Sequence, residues 1–304
     1  MHNEPLRIYG TSSEGTIWTS TVKSLGRRSM ILALSMVLLV GTTAPGRAAD
    51  ASHWDGDQRS AVRLIAGIAF GERSERVLRS GIEVKLAPGW KMYWRYPGDA
   101  GVPPRFDFTG SKNVSAITVL WPAPQRFSEE GTKLIVYKGN VVLPLRIVPE
   151  NQDEPVIVRL KLDYGVCEKL CILAEATSEL ALSGAGTSHE LALAAAEARV
   201  PRQVAVGEGG TLSIRSVRLE AGSTRSRIVV DVAAPDASSV DLFVEGPTAD
   251  WALPLPKPVS VEAGLRRFAV ELGGIPPGAD AHGTVFKFTA TAGEEAIDVS
   301  SAID

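Results

Sequence analysis

Sulfur-bearing thiols are scarce in this chain: Cys167 and Cys171 are the two cysteines in 304 residues. So few exclude a disulfide-stapled scaffold and a multi-cysteine metal centre. Histidine is scarce as well, and His2, His53, His189 and His282 show no metal-ligand spacing with one another or with the cysteines. A basic excess is missing, since the formal net charge is -3, so nothing here attracts nucleic acid. The chain has no G-x-S-x-G elbow, no phosphate loop and no paired-carboxylate signature. Hydrophobic residues at 44% and charged residues at 22% are ordinary for a soluble globular protein, which excludes both disorder and a polytopic membrane protein.

What is present begins with a leader. Arg27-Arg28 precedes an apolar run, Met30 to Val40, and small residues from Gly41 to Ala49 suit cleavage near Ala48 or Ala49. The run is short for a bilayer span, and no cysteine lies near the cleavage point to take a lipid. The twin arginines also fit the folded-protein export route. Residues 1–48 carry a net +3, and removing that from the chain's -3 leaves -6 on the rest. Export to an oxidising compartment makes a lone close cysteine pair either a disulfide or a dithiol kept reduced on purpose.

The rest reads as short alternating strands cut by Gly and Pro. Val62 to Ile68, Ile82 to Leu86, Val114 to Trp121, Lys133 to Tyr137, Val141 to Val148 and Val156 to Leu162 have the spacing of an all-β sandwich. The aromatic knot Trp90, Tyr93, Trp94 and Tyr96, with Pro97 to Gly101 and Pro103-Pro104 behind it, reads as turn chemistry rather than a strand interior. Thr187 to Arg199 reads as a helix with a capping box from Thr187 and Glu190, stopped by Pro201. Strands resume at 212–219, 227–233, 240–244, 266–272 and 284–290. The expected organisation is a leader over 1–48, a β-sandwich carrying the cysteines over 49–185, a helical linker over 186–203 and a second sandwich over 204–304.

The stretch from Leu160 to Ala176 (LKLDYGVCEKLCILAEA) concentrates the chemistry. Val156, Val158, Leu160 and Leu162 face one way, and Arg159, Lys161 and Asp163 the other. Tyr164 and Gly165 break the alternation, and the cysteines follow at the mouth of a strand connection. A bridge over three intervening residues constrains the unfolded chain by only about 2 kcal/mol, against roughly 4 to 5 for one spanning most of a domain. Such a pair suits thiol exchange better than stapling. A static surface disulfide and soft-metal binding, chiefly Cu(I) on Cys167 and Cys171, are the other readings, and either would make the chain a non-enzymatic envelope binding module, a copper handler or an adaptor. Lys169 would favour a thiolate and Glu168 oppose it. Tyr164 and the aromatics Trp90, Tyr93, Trp94 and Tyr96 are candidates for a cover over the pair.

Four motifs in order carry a resemblance: Trp90 to Pro104 (WKMYWRYPGDAGVPP), Leu120 to Phe127 (LWPAPQRF), Val142 to Leu145 (VLPL) and Leu162 to Ala176. Together they resemble the N-terminal periplasmic domain of DsbD-type thiol:disulfide interchange proteins, including the branch associated with copper tolerance, directly over about residues 55 to 185. The resemblance implies an immunoglobulin-like fold, periplasmic localisation and no cofactor. It also implies a cysteine pair that takes electrons from a membrane-embedded thiol reductant, CcdA- or DsbD-like, and passes them to periplasmic thiol:disulfide proteins. Cys171 would form the mixed disulfides and Cys167 resolve them. The best-known members have a wider gap between the cysteines. They also continue into a multi-helix membrane domain and a thioredoxin-like domain, which this chain lacks, so a separate reductant is implied.

Overall fold

Runs that alternate polar and apolar residues become strands because a pleated ribbon can then keep one face dry. The structure, a computed structural model, describes residues 49–303 apart from 73–75, 130, 186, 223–224, 237–238 and 263; the expected leader lies outside the described residues. In chain order the first strands are β1 (Asp55–Gly56), β2 (Ser60–Ala66), β3 (Leu78–Leu86), β4 (Lys91–Gly98), β5 (Arg105–Asp107) and β6 (Ala116–Val119). Then come β7 (Gln125–Glu129), β8 (Thr132–Lys138), β9 (Val141–Val148), β10 (Val156–Cys167) and β11 (Cys171–Leu182). They make two sheets, ordered β1-β2-β3-β9-β6 and β11-β10-β4-β8-β7, with β5 also on β10. Val62, Leu64, Ile82 and Leu143 from one sheet meet Met92, Trp94, Leu160 and Leu162 from the other in a single core.

Helix α1 (Glu190–Ala198) leads to β12 (Arg202–Gln203), β13 (Ser213–Glu220), β14 (Arg227–Ala233) and β15 (Asp241–Glu245). The chain ends in β16 (Lys257–Glu262), β17 (Leu265–Glu271), β18 (Val285–Ala292) and β19 (Glu295–Ala302). These form the sheets β12-β19-β18-β15 and β13-β14-β17-β16, closed over Phe268, Phe286, Phe288 and Ile297. Apart from β12 on β19, every named pairing is antiparallel. The protein is therefore all-β: among the described residues, two immunoglobulin-like sandwiches with one short helix between them.

Three local expectations are corrected. The knot at Trp90 to Tyr96 is a strand, β4, because Met92, Tyr93 and Trp94 all bury. Tyr164 and Gly165 do not end the strand; β10 runs on to Cys167, with Tyr164 facing the core. The capping box does not form: the helix N-cap is His189, without a side-chain cap. Thr187 instead donates to the Ala66 carbonyl at 2.7 Å, and Glu190 accepts from the Ile68 amide and from Arg79. The helix is thus docked on the first sandwich. Leu193 is fully buried over Gly67 and Gly81, where a Cβ would come within 2.6 and 2.8 Å of it, and Glu197 takes Arg79 and Arg146 together. Those two guanidiniums hold the Glu197 carboxyl below its usual range, although burial alone would raise it.

Candidate functional site

β10 and β11 form a long antiparallel hairpin whose last register pair is Cys167 with Cys171. Antiparallel pairing brings their Cα atoms to 4.1 Å, and the two sulfurs are joined as a disulfide. Glu168, Lys169 and Leu170 make the tip, closed by the Glu168 amide donating to the Leu170 carbonyl. The sulfurs differ in environment. Cys167 is 3% exposed and packs with Tyr93, Leu134 and Val136, whereas Cys171 is exposed.

Tyr93 is the residue that meets both. β10 pairs with β4 at Val166–Met92 and Cys167–Lys91, so the next β4 residue, Tyr93, comes level with Gly165 and its ring reaches back to the bridge. Its hydroxyl lies 2.8 Å from the Cys167 sulfur and 3.1 Å from that of Cys171. Neither sulfur of a disulfide carries a hydrogen, so the phenol donates to them. The ring is 3% exposed, held between two glycines that have no Cβ to obstruct it. A Cβ on Gly165 would stand 2.9 Å from the ring, and one on Gly101 would stand 2.3 Å from it. The turn after β4, which includes Gly101, therefore lies on the tyrosine, and the tyrosine lies on the disulfide.

Positive charge and apolar surface surround the tip. Lys91, 6% exposed, donates to the Glu168 carbonyl at 3.3 Å and lies 4.4 Å above the Phe127 ring, which Lys138 approaches at 4.3 Å. A cleft of about 540 Å³ runs beside the tip, lined by Trp90, Lys91, Phe127, Lys138, Glu168 and Lys169 among others. Leu170 and Leu173, 73% and 75% exposed, project beside Cys171.

Of the expected cover, then, Tyr93 lies on the pair, while Trp90 and Lys169 line the neighbouring cleft. The other aromatics lie elsewhere. Trp94 is fully buried in the first core, with its ring 5.8 Å from Phe243. Tyr164 points into the same core and shares a 2.9 Å hydrogen bond with Ser60; burial raises its pKa. Tyr96 faces the second sandwich, donating to the Leu253 carbonyl at 2.5 Å, and burial pushes it up to about 12. Strand alternation explains the division, since side chains one apart leave on opposite faces. Lys91, Phe127, Gly101 and Gly165 were not expected at the site, because strand pairings between distant segments place them there. The copper reading needs two thiolates, and in this structure the two sulfurs are bonded to each other.

Residues 69–183 match the family described as thiol:disulfide interchange protein DsbD, N-terminal. Comparison with curated proteins finds no match. Among solved structures, the N-terminal periplasmic domain of ScsB from Proteus mirabilis is similar, with a TM-score of 0.67 and 22% identity over 84% of this chain and 98% of that one. That likeness is one of fold, and its coverage takes in both sandwiches. No helix among the described residues is long and apolar enough to cross a membrane. It is thus the segment carrying the cysteine hairpin, residues 69–183, that is similar to the N-terminal domain of the thiol:disulfide interchange protein DsbD.

Proposed function

We propose that this protein is an exported thiol:disulfide interchange module that relays electrons from a membrane-embedded dithiol reductant to other exported proteins. The observation that carries this reading is the asymmetric disulfide at a hairpin tip, one sulfur exposed and one buried, with a single phenol hydroxyl on both. A thiolate of the reductant attacks the exposed Cys171 sulfur, the Cys167–Cys171 bond breaks, and Cys167 leaves as a thiolate. The Tyr93 O–H, already 2.8 Å away, donates to that new charge. The reductant's second thiolate then attacks its own sulfur in the mixed disulfide and releases Cys171. Two electrons and two protons have moved, leaving a dithiol here and a disulfide on the reductant.

Delivery reverses the roles. The Cys171 thiolate attacks an acceptor disulfide, one acceptor sulfur leaves as a thiolate and takes up a proton, and Cys167 resolves the mixed disulfide. Leu170 and Leu173 offer the partner an apolar landing beside the reacting sulfur. With Cys167→Ala, resolution from this chain is lost, so mixed disulfides through Cys171 should accumulate and be captured from envelope extracts. A reduction potential well below about -300 mV, with nothing trapped, would mark an inert bridge and overturn the reading.

A further inference from the structure

The strand that carries Tyr93 loses its ladder immediately after it. β4 pairs with β8 at Tyr93–Val136 and next at Gly98–Leu134, five steps on one strand against two on the other. β10 reaches β4 at Lys91 and Met92. Trp94 to Pro97 therefore lie in a bulge, where the regular register between β4 and β8 is interrupted.

Side chains from the second sandwich meet this bulge. The Arg95 guanidinium meets Glu245 of β15 through Nε at 3.0 Å and Nη2 at 2.8 Å. Its Nη2 also lies 3.3 Å from Thr289 Oγ1 and 3.5 Å from Asp298 Oδ2. Asp298, 3% exposed, is itself fixed by Thr289 at 2.6 Å, Gln203 at 3.0 Å and Lys287 at 3.2 Å. Tyr96 reaches Leu253, and Trp94 packs on Phe243. Breaking such a part-buried network is costly because removing one member leaves another charge uncompensated. Arg95 stands two residues from Tyr93, one full pleat along the same strand, and the segment it anchors leads into the turn that lies on the Tyr93 ring.

We propose that Arg95 and Glu245 are positioning residues: the second sandwich, through this ion pair and Asp298 behind it, holds β4 so that the Tyr93 hydroxyl stays on the disulfide. The second sandwich is then part of the redox site's tuning. Loosening the anchor withdraws the hydrogen bond that favours the Cys167 thiolate, and the disulfide becomes harder to reduce.

This inference builds on the interchange reading, but its readout does not require a partner. The equilibrium constant for reduction of Cys167–Cys171 by a reference dithiol is measured for the full chain, Glu245→Ala, Tyr93→Phe and the double variant. Glu245→Ala should lower that constant about fivefold when Tyr93 is present and less than about twofold when Phe replaces it, because both changes remove one hydrogen bond. An equal factor in both backgrounds, or none in either, overturns the proposal and leaves the ion pair a purely structural clamp. Should Glu245→Ala fail to fold, Glu245→Gln keeps the shape without the charge and carries the same comparison. Failure to trap partners with Cys167→Ala, alongside a clear non-additive shift here, would sink the relay and leave the positioning intact.

Discussion

At the scale of residues, the proposed exchange rests on one hydroxyl, that of Tyr93. Without Tyr93, the hairpin tip would be an ordinary short-loop bridge. With it, the sulfur that leaves as an anion in the proposed exchange has a donor at 2.8 Å, and hydrogen bonds to charged groups are stronger than neutral ones. Tyr93→Phe keeps the ring between Gly101 and Gly165 and removes only the oxygen. The expected outcome is an unfolding midpoint near that of the parent and reduction by a small dithiol slowed about tenfold, measured by stopped-flow fluorescence. The cysteines could be picked out from their spacing and the compartment, and Tyr93 was among the aromatics expected around them. Its distinction from Trp94 and Tyr96 was not legible, because it depends on which face of β4 meets β10.

At the scale of elements, ionic groups stand beside irregular strand pairings in both sandwiches. In the second sandwich, β13 shifts register between Ile214 and Ser216, and Asp231 of β14 lies beside the break. Burial pushes the Asp231 carboxyl up, but hydrogen bonds from Arg267, Arg218 and Ser216 outweigh it and hold the group at about 2 instead of 3.8. Because the folded value lies below the unfolded one, the contribution is complete above about pH 4 and is lost as pH falls towards 2. It amounts to about 1 to 2 kcal/mol, screened by the partly exposed arginines. Chemical denaturation at pH 5 and pH 2.5 should show this loss in the parent and a flatter profile in Asp231→Asn, which starts from lower stability. Strands such as β14 were readable from alternation. β16 and β19 were not, since Pro258 breaks one pattern and the other buries Asp298 where an apolar residue would be expected.

At the scale of the molecule, the sandwiches share packing as well as charge. Phe243 and Leu255, from the second part of the chain, belong to the first core, and Arg126 of β7 grips Asp241 of β15 through Nε and Nη2 at 3.0 and 2.7 Å. Phe243→Ala should cost about 3 to 5 kcal/mol and lower the unfolding midpoint reported by tryptophan fluorescence, since Trp94 lies against the deleted ring. A two-step transition with an unshifted first sandwich would contradict this coupling. Local sequence determined the all-β class, most strand positions, the helix between the sandwiches and the cysteine pair, because alternation, turn residues and close spacing are properties of neighbours along the chain. Tertiary structure alone decided that Cys167 is buried and Cys171 exposed, that Tyr93 sits on both sulfurs, and that Arg95 ties the same strand to the second sandwich. Those facts depend on register between strands tens of residues apart, where a one-residue slip would turn every side chain to the opposite face.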